Sequence, residues 1–257
     1  MNSVAPFAGA ERMSVIMLRL LKAERMKLKR SPVWLIFFFM ALVPALLGTL
    51  NYMNNLDLLK SEWFSLWTQH TLFTDYFFLP IMVGVYCSYI MRIEQNNHNW
   101  NKVLTMPVSR GAVFVAKLIT VGEMVLLSVI WICALFVLSG KIAGITAPIP
   151  FTNLAVWCAC GALGGIVMAA VQLLLSLYIR SFALPIGIAL AGGISGLFAL
   201  AKGFGHIWPY SLMAYGMSAN APQQIMESGY LSFVVICVLY IAVLTLLGSG
   251  IMARRDV

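Results

Sequence analysis

The chain has 257 residues, of which 61% are hydrophobic and 10% charged, with a mean hydropathy of +0.90 and a formal charge of +8. A water-soluble domain carries roughly 25% charged and about 45–50% apolar residues, so a water-facing surface cannot be assembled from this material. Soluble enzymes, DNA-binding domains and secreted disulfide scaffolds are excluded, and the basic excess must be read by its position relative to membrane spans.

In chain order, residues 1–32 form a basic cytoplasmic segment ahead of a membrane domain covering 33–257. Met13 is a candidate natural start, because Met1–Arg12 is unlike the stretch behind it. No short apolar core with a small-residue cleavage site follows, which argues against a removable signal peptide. Within Val15–Lys29, apolar Val15, Leu18, Leu21 and Leu28 fall near one helical face, with Arg19, Lys22, Lys27 and Lys29 outside it. Such a helix is expected to lie in the cytoplasmic headgroup layer. Apolar runs then predict six transmembrane helices near Val33–Tyr52, Thr71–Met91, Ala112–Leu138, Leu154–Tyr178, Ala183–Leu200 and Tyr230–Met252. The predicted fold class is all-α integral membrane.

Seven Lys and Arg precede the first span; Arg92, Lys102, Arg110, Lys117, Arg180, Arg254 and Arg255 fall on the same side. Only Lys60, Lys141 and Lys202 fall opposite, a fourteen-to-three split that predicts both termini in the cytoplasm. The five cysteines lie inside spans and read as packing residues. The phosphate-cradling G-x-x-x-x-G-K-[ST] loop, H-E-x-x-H and C-x-x-C do not occur, and the three histidines are far apart, so neither an ATP site nor a metal site is expected in this chain.

Between spans two and three, Trp100, Val103 and Leu104 make an i, i+3, i+4 stripe beside a polar face of Glu94, Asn97, His98 and Asn101, and Pro107 ends the pattern. A short amphipathic helix is expected there, resting on the bilayer or gripped by a partner. Between spans five and six, the apolar segment Ala201–Gly229, with Trp208, Pro209 and Tyr210, is expected to dip back as re-entrant pieces on the extracellular side. Glu123 and Gln172 are the deep polar side chains and candidate translocation-path residues, with Asp75 nearer the outer end of span two. Glu123 has the alternative of a structural hydrogen bond at a subunit interface. Gly193-Ile194-Ser195-Gly196 has the G-x-S-G form of an intramembrane serine hydrolase, but span six offers no histidine base, and close helix packing accounts for the same small residues.

Five stretches in this order resemble ABC-2-type transporter permeases, specifically the lantibiotic-protection (immunity) group: Leu20–Ser31, Trp67–Pro80, Glu94–Arg110 running on to Leu118, Gln172–Ile186 and Pro209–Met217. The resemblance implies a six-span subunit of a bacterial plasma-membrane exporter. It also implies a second permease, same or paralogous, and a separate ABC ATPase that binds ATP and Mg. That ATPase is implied to dock on the interfacial helix, at Leu21, Glu24, Lys27 and Arg30, and on a coupling helix Glu94–Thr105 that includes Asn97, Trp100, Val103 and Leu104, with Arg110 beyond it. The implied cargo is a hydrophobic or amphipathic peptide, with a lipid or other small amphiphile as the alternative; membrane lipid is a partner and nucleic acid is not.

Overall fold

A computed structural model of the protein describes residues 5–96, 108–223, 226 and 229–254, with side chains from Ser14 onward. Among the described residues the regular structure is entirely helical, and six helices are long and apolar enough to cross a membrane. Helix α1 (Ala5–Leu28) precedes them, and α2 (Val33–Asn54) is the first span. The second is one continuous rod made of α3 (Glu62–Phe73), a π-helical turn (Thr74–Phe78) and α4 (Leu79–Gln95). The rest are α5 (Arg110–Ile142), α6 (Phe151–Tyr178), α7 (Ala183–Ala201), the five-residue α8 (Leu212–Gly216) and the last span, α9 (Tyr230–Ala253).

Five of the six expected spans match in position to within a turn of helix at each end; the second begins nine residues earlier than expected. Glu62, Thr68, Gln69 and His70 dilute the hydropathy of that stretch, yet Trp63, Leu66, Trp67, His70 and Thr71 are buried against α2 and α5. Buried packing, not lipid exposure, makes α3 a helix. The π turn has a local cause in Pro80, which has no N–H to give to the Tyr76 carbonyl four residues back and whose ring crowds it. That carbonyl packs on α7 instead, where a Cβ on Gly193 would lie 2.5 Å from it. Asp75 therefore lies well inside the rod, not near its outer end as the shorter span suggested.

Helices α4, α5 and α6 form the centre, with α2 and α3 on one flank and α7 against α4. Helix α9 lies on α5 and α6, and only 17% of its most apolar window is buried, against 61% for the second span, so most of its surface is uncovered by the rest of the chain. At 33 residues and 1.5 Å per residue, α5 is about 50 Å long, well beyond the ~30 Å hydrocarbon layer. Its start projects past the span, capped by the Ser109 hydroxyl, which accepts the Ala112 N–H at 3.2 Å.

The chain between α7 and α9 turns inward. The Leu212 main chain lies where a Cβ on Gly164 would come within 2.5 Å, and Gly164 is thirteen residues, about 20 Å, along α6 from Phe151. Trp67 stacks on Trp157 at 4.5 Å and donates from Nε1 to the Met217 carbonyl at 2.9 Å, anchoring α8 to α3. Replacing Gly164 with Val is expected to collide with main chain and to lower thermal stability sharply, whereas Gly187→Ala, which meets only open space, leaves it unchanged. Melting of the two variants in detergent measures the difference.

Candidate functional site

Four ionisable side chains from three separated segments meet where α1 crosses the ends of α4 and α5. Lys117, on the second turn of α5, has no exposed surface. Its ammonium donates to both Glu24 carboxylate oxygens at 3.1 Å and to Glu94 at 2.8 Å. Lys27 of α1 donates to Glu24 at 2.7 Å and also to Glu94. Glu24 and Glu94 are 3% and 2% exposed, so two carboxylates and two ammonium groups form a neutral, nearly dry junction. For Lys27, burial works against the charge, but the Glu24 and Glu94 carboxylates outweigh it and hold its pKa above the ordinary lysine range.

This arrangement sets Lys27, expected among the outward basic residues of α1, against protein. Glu24, Lys27 and Leu28 form the i, i+3, i+4 stripe that faces protein, while Val15, Leu18 and Met26 are exposed. Lys27 is thus not on the outer face with Arg19, Lys22 and Lys29. Glu24 and Lys27 point inward because the surface they meet, Lys117 and Glu94, is itself charged, while Arg19, Lys22, Arg25 and Lys29 stay exposed. Leu21 is half-buried beside the stripe, and Arg30 lies past the helix end, exposed.

Glu94 was expected on a separate helix running to Thr105, but it occupies the last turn of α4, which stops at Gln95; Asn96 is extended (φ −80°, ψ 147°). Asn97, Trp100, Val103 and Leu104 lie outside the described residues. Arg110 opens α5 and donates to the Ala253 carbonyl of α9 at 3.4 Å. Arg92 lies over the Phe182 ring at 5.3 Å.

The two candidate path residues are not brought together. Glu123 pairs with Arg25 of α1 through both carboxylate oxygens, one at 2.8 Å from Nε, on a partly exposed face outside the bundle interior. Gln172 is fully buried; with its oxygen 2.7 Å from the Tyr210 hydroxyl, its nitrogen donates to the Pro185 carbonyl at 3.1 Å. Trp208 is 41% exposed and donates to Ser195 at 2.9 Å, and the Ser195 hydroxyl donates to the Gly192 carbonyl at 2.6 Å. Ser195 is thereby occupied by structural bonds, and His206 lies against Tyr215 instead. Asp75 has no exposed surface, and among the described residues neither of its oxygens has a hydrogen-bond partner.

Against this geometry, the family model described as ABC-2 family transporter protein matches residues 20–196, which contain the junction and the first four spans. The chain belongs to that family. It is the multi-pass permease subunit of an ABC transporter, a transmembrane component that works with an ABC ATPase subunit and is not itself the catalyst. No curated protein matched the chain.

Lys117 was read in the sequence only as a topology charge, although a lysine seven residues into a long apolar helix needs a carboxylate partner. Removing one member of such a cluster leaves a buried charge unpaired, so Lys117→Met is expected to cost about 3–5 kcal/mol in unfolding free energy, read from denaturation in detergent. The Lys27 contribution is complete below the ordinary lysine pKa of about 10.4 and is lost as pH rises through its raised folded value. Melting temperature followed up to about pH 12 should fall on that alkaline limb, and Lys27→Arg should move the fall upward. At Asp75, exchanging a buried carboxyl that has no hydrogen-bond partner among the described residues for an amide of the same shape is expected to leave melting unchanged, so Asp75→Asn is tolerated.

Proposed function

We propose that this permease moves a hydrophobic or amphipathic peptide, a lantibiotic or similar antimicrobial, out of the membrane or the cell, giving self-protection. Both termini lie in the cytoplasm on this reading, with the junction at the cytoplasmic end, as the distribution of Lys and Arg indicates. The segment between α7 and α9 is then a re-entrant extracellular piece, supported by the contact of Leu212 with Gly164.

The observation that carries the mechanism is the Glu24–Lys117–Glu94 junction. Residues 97–107 connect the last turn of α4 to the start of α5 along the chain, and the junction ties both of those helix ends to α1. Force that the ATPase applies to the loop, through Trp100, Val103 and Leu104, or to α1 is thus delivered to α4 and α5 together. Glu94 acts within the protein as a strut, while the stripe beyond it makes the contact. On this reading the peptide passage lies between two permease copies, same or paralogous, as the resemblance to ABC-2-type permeases implies.

Reconstitution with the ATPase, with efflux of a fluorescent amphipathic peptide as the readout, tests the proposal. The permease alone hydrolyses no ATP; with its ATPase it exports peptide. Trp100→Ala lowers export at least about tenfold, the equivalent of roughly 1.4 kcal/mol of coupling, while insertion and assembly persist. Normal export by that variant contradicts the coupling role. Movement of labelled phospholipid but not peptide transfers the cargo to the lipid alternative.

A further inference from the structure

An open cavity of about 550 Å³ lies between the C-terminal half of α1 and the first turn of α2, on the side of α1 away from the buried junction. Its floor is apolar, made by Leu18, Leu21 and the Trp34 ring, which is held in place by the Nε1 hydrogen bond to the Leu28 carbonyl at 3.0 Å. Its rim carries Lys22, Lys29 and Arg30, with Arg25 beside them. The neighbouring acids are already used, Glu24 and Glu94 by Lys27 and Lys117, and Glu123 by Arg25. Among the described residues no ion pair neutralises Lys22, Lys29 or Arg30. Arg30 also takes a left-handed backbone (φ 61°) at the helix end, where glycine would be free of strain, so that a cation closes the cavity.

Three uncompensated cations over an apolar floor, at the level where α2 begins its span, match one ligand chemistry. A phosphodiester headgroup satisfies the rim, and the glycerol and upper acyl carbons cover Leu18 and Trp34. A free phosphate would leave the floor bare. We propose that this cradle binds one anionic phospholipid of the adjoining leaflet, which clamps the outer face of α1 to the membrane while the ion junction clamps its inner face. The site stands whatever the cargo, and its test involves no nucleotide or transport.

The test is native mass spectrometry of the full chain in mixed micelles containing phosphatidylglycerol and phosphatidylcholine. The wild-type protein is expected to retain a phosphatidylglycerol in preference to phosphatidylcholine. Each of Lys22→Gln, Lys29→Gln and Arg30→Gln weakens that preference roughly fivefold, and the triple variant abolishes it. Lys141→Gln and Lys202→Gln, which alter cations far along the chain from the cradle, retain it. Millimolar inorganic phosphate does not displace the lipid. The assignment is overturned if the triple variant keeps its preference with an unchanged melting temperature, or if inorganic phosphate competes the lipid away. It is equally overturned if assembly with the ATPase subunit expels the lipid, which would make the cradle a protein interface.

Discussion

Burying an ammonium group inside a helical bundle is costly unless carboxylates meet it, and Lys117 meets that condition only because Glu24 and Glu94 arrive from two other segments of the chain. Each of the three is nearly or wholly without exposed surface, so none is replaceable by water. The junction thereby makes the position of α1 on the spans a matter of charge balance, not of apolar contact alone. Lys27 completes the neutrality. The exposed Arg25–Glu123 pair repeats the α1–α5 link six residues further along α5, but being open to solvent it adds direction more than strength.

The opposite end of the molecule is held by a different physics. There the helices approach closely at glycines, and aromatic side chains supply both area and a directed hydrogen bond. Trp67 and Trp157 stack, Trp63 donates to the Ala147 carbonyl at 2.9 Å, and the short α8 is pressed against α6. One end is fixed by ions and the other by close packing, and the long α5 and α6 run between them.

The span count and most span limits were legible because lipid-crossing length and apolar composition are properties of single segments. What was not legible depends on pairs of segments. Helix α3 falls outside the expected span because its buried stripe of Trp63, Leu66 and Trp67 is diluted by Glu62, Thr68 and Gln69, and hydropathy averages over both faces. The amphipathic pattern of α1 was visible, but which face turns inward was not, since that is decided by Lys117 nearly a hundred residues away. Glu94 belongs to the end of α4 and not to a separate helix, because the break at Asn96 leaves no strong sequence signal. Glu123 and Gln172 were conspicuous as polar residues in apolar runs, and each proves to have its own local partner.

On the proposed function, the junction is where a permease that works with an ABC ATPase subunit takes up force and passes it along its helices. The central claim is that α1 and the start of α5 move as one body. Spin labels at the exposed positions Val15 and Ile119, in the assembled transporter, measure it by pulsed dipolar spectroscopy. A single narrow distance that is the same with and without ATP is the predicted result. A distance that shifts or broadens with nucleotide in the wild-type protein would contradict the account.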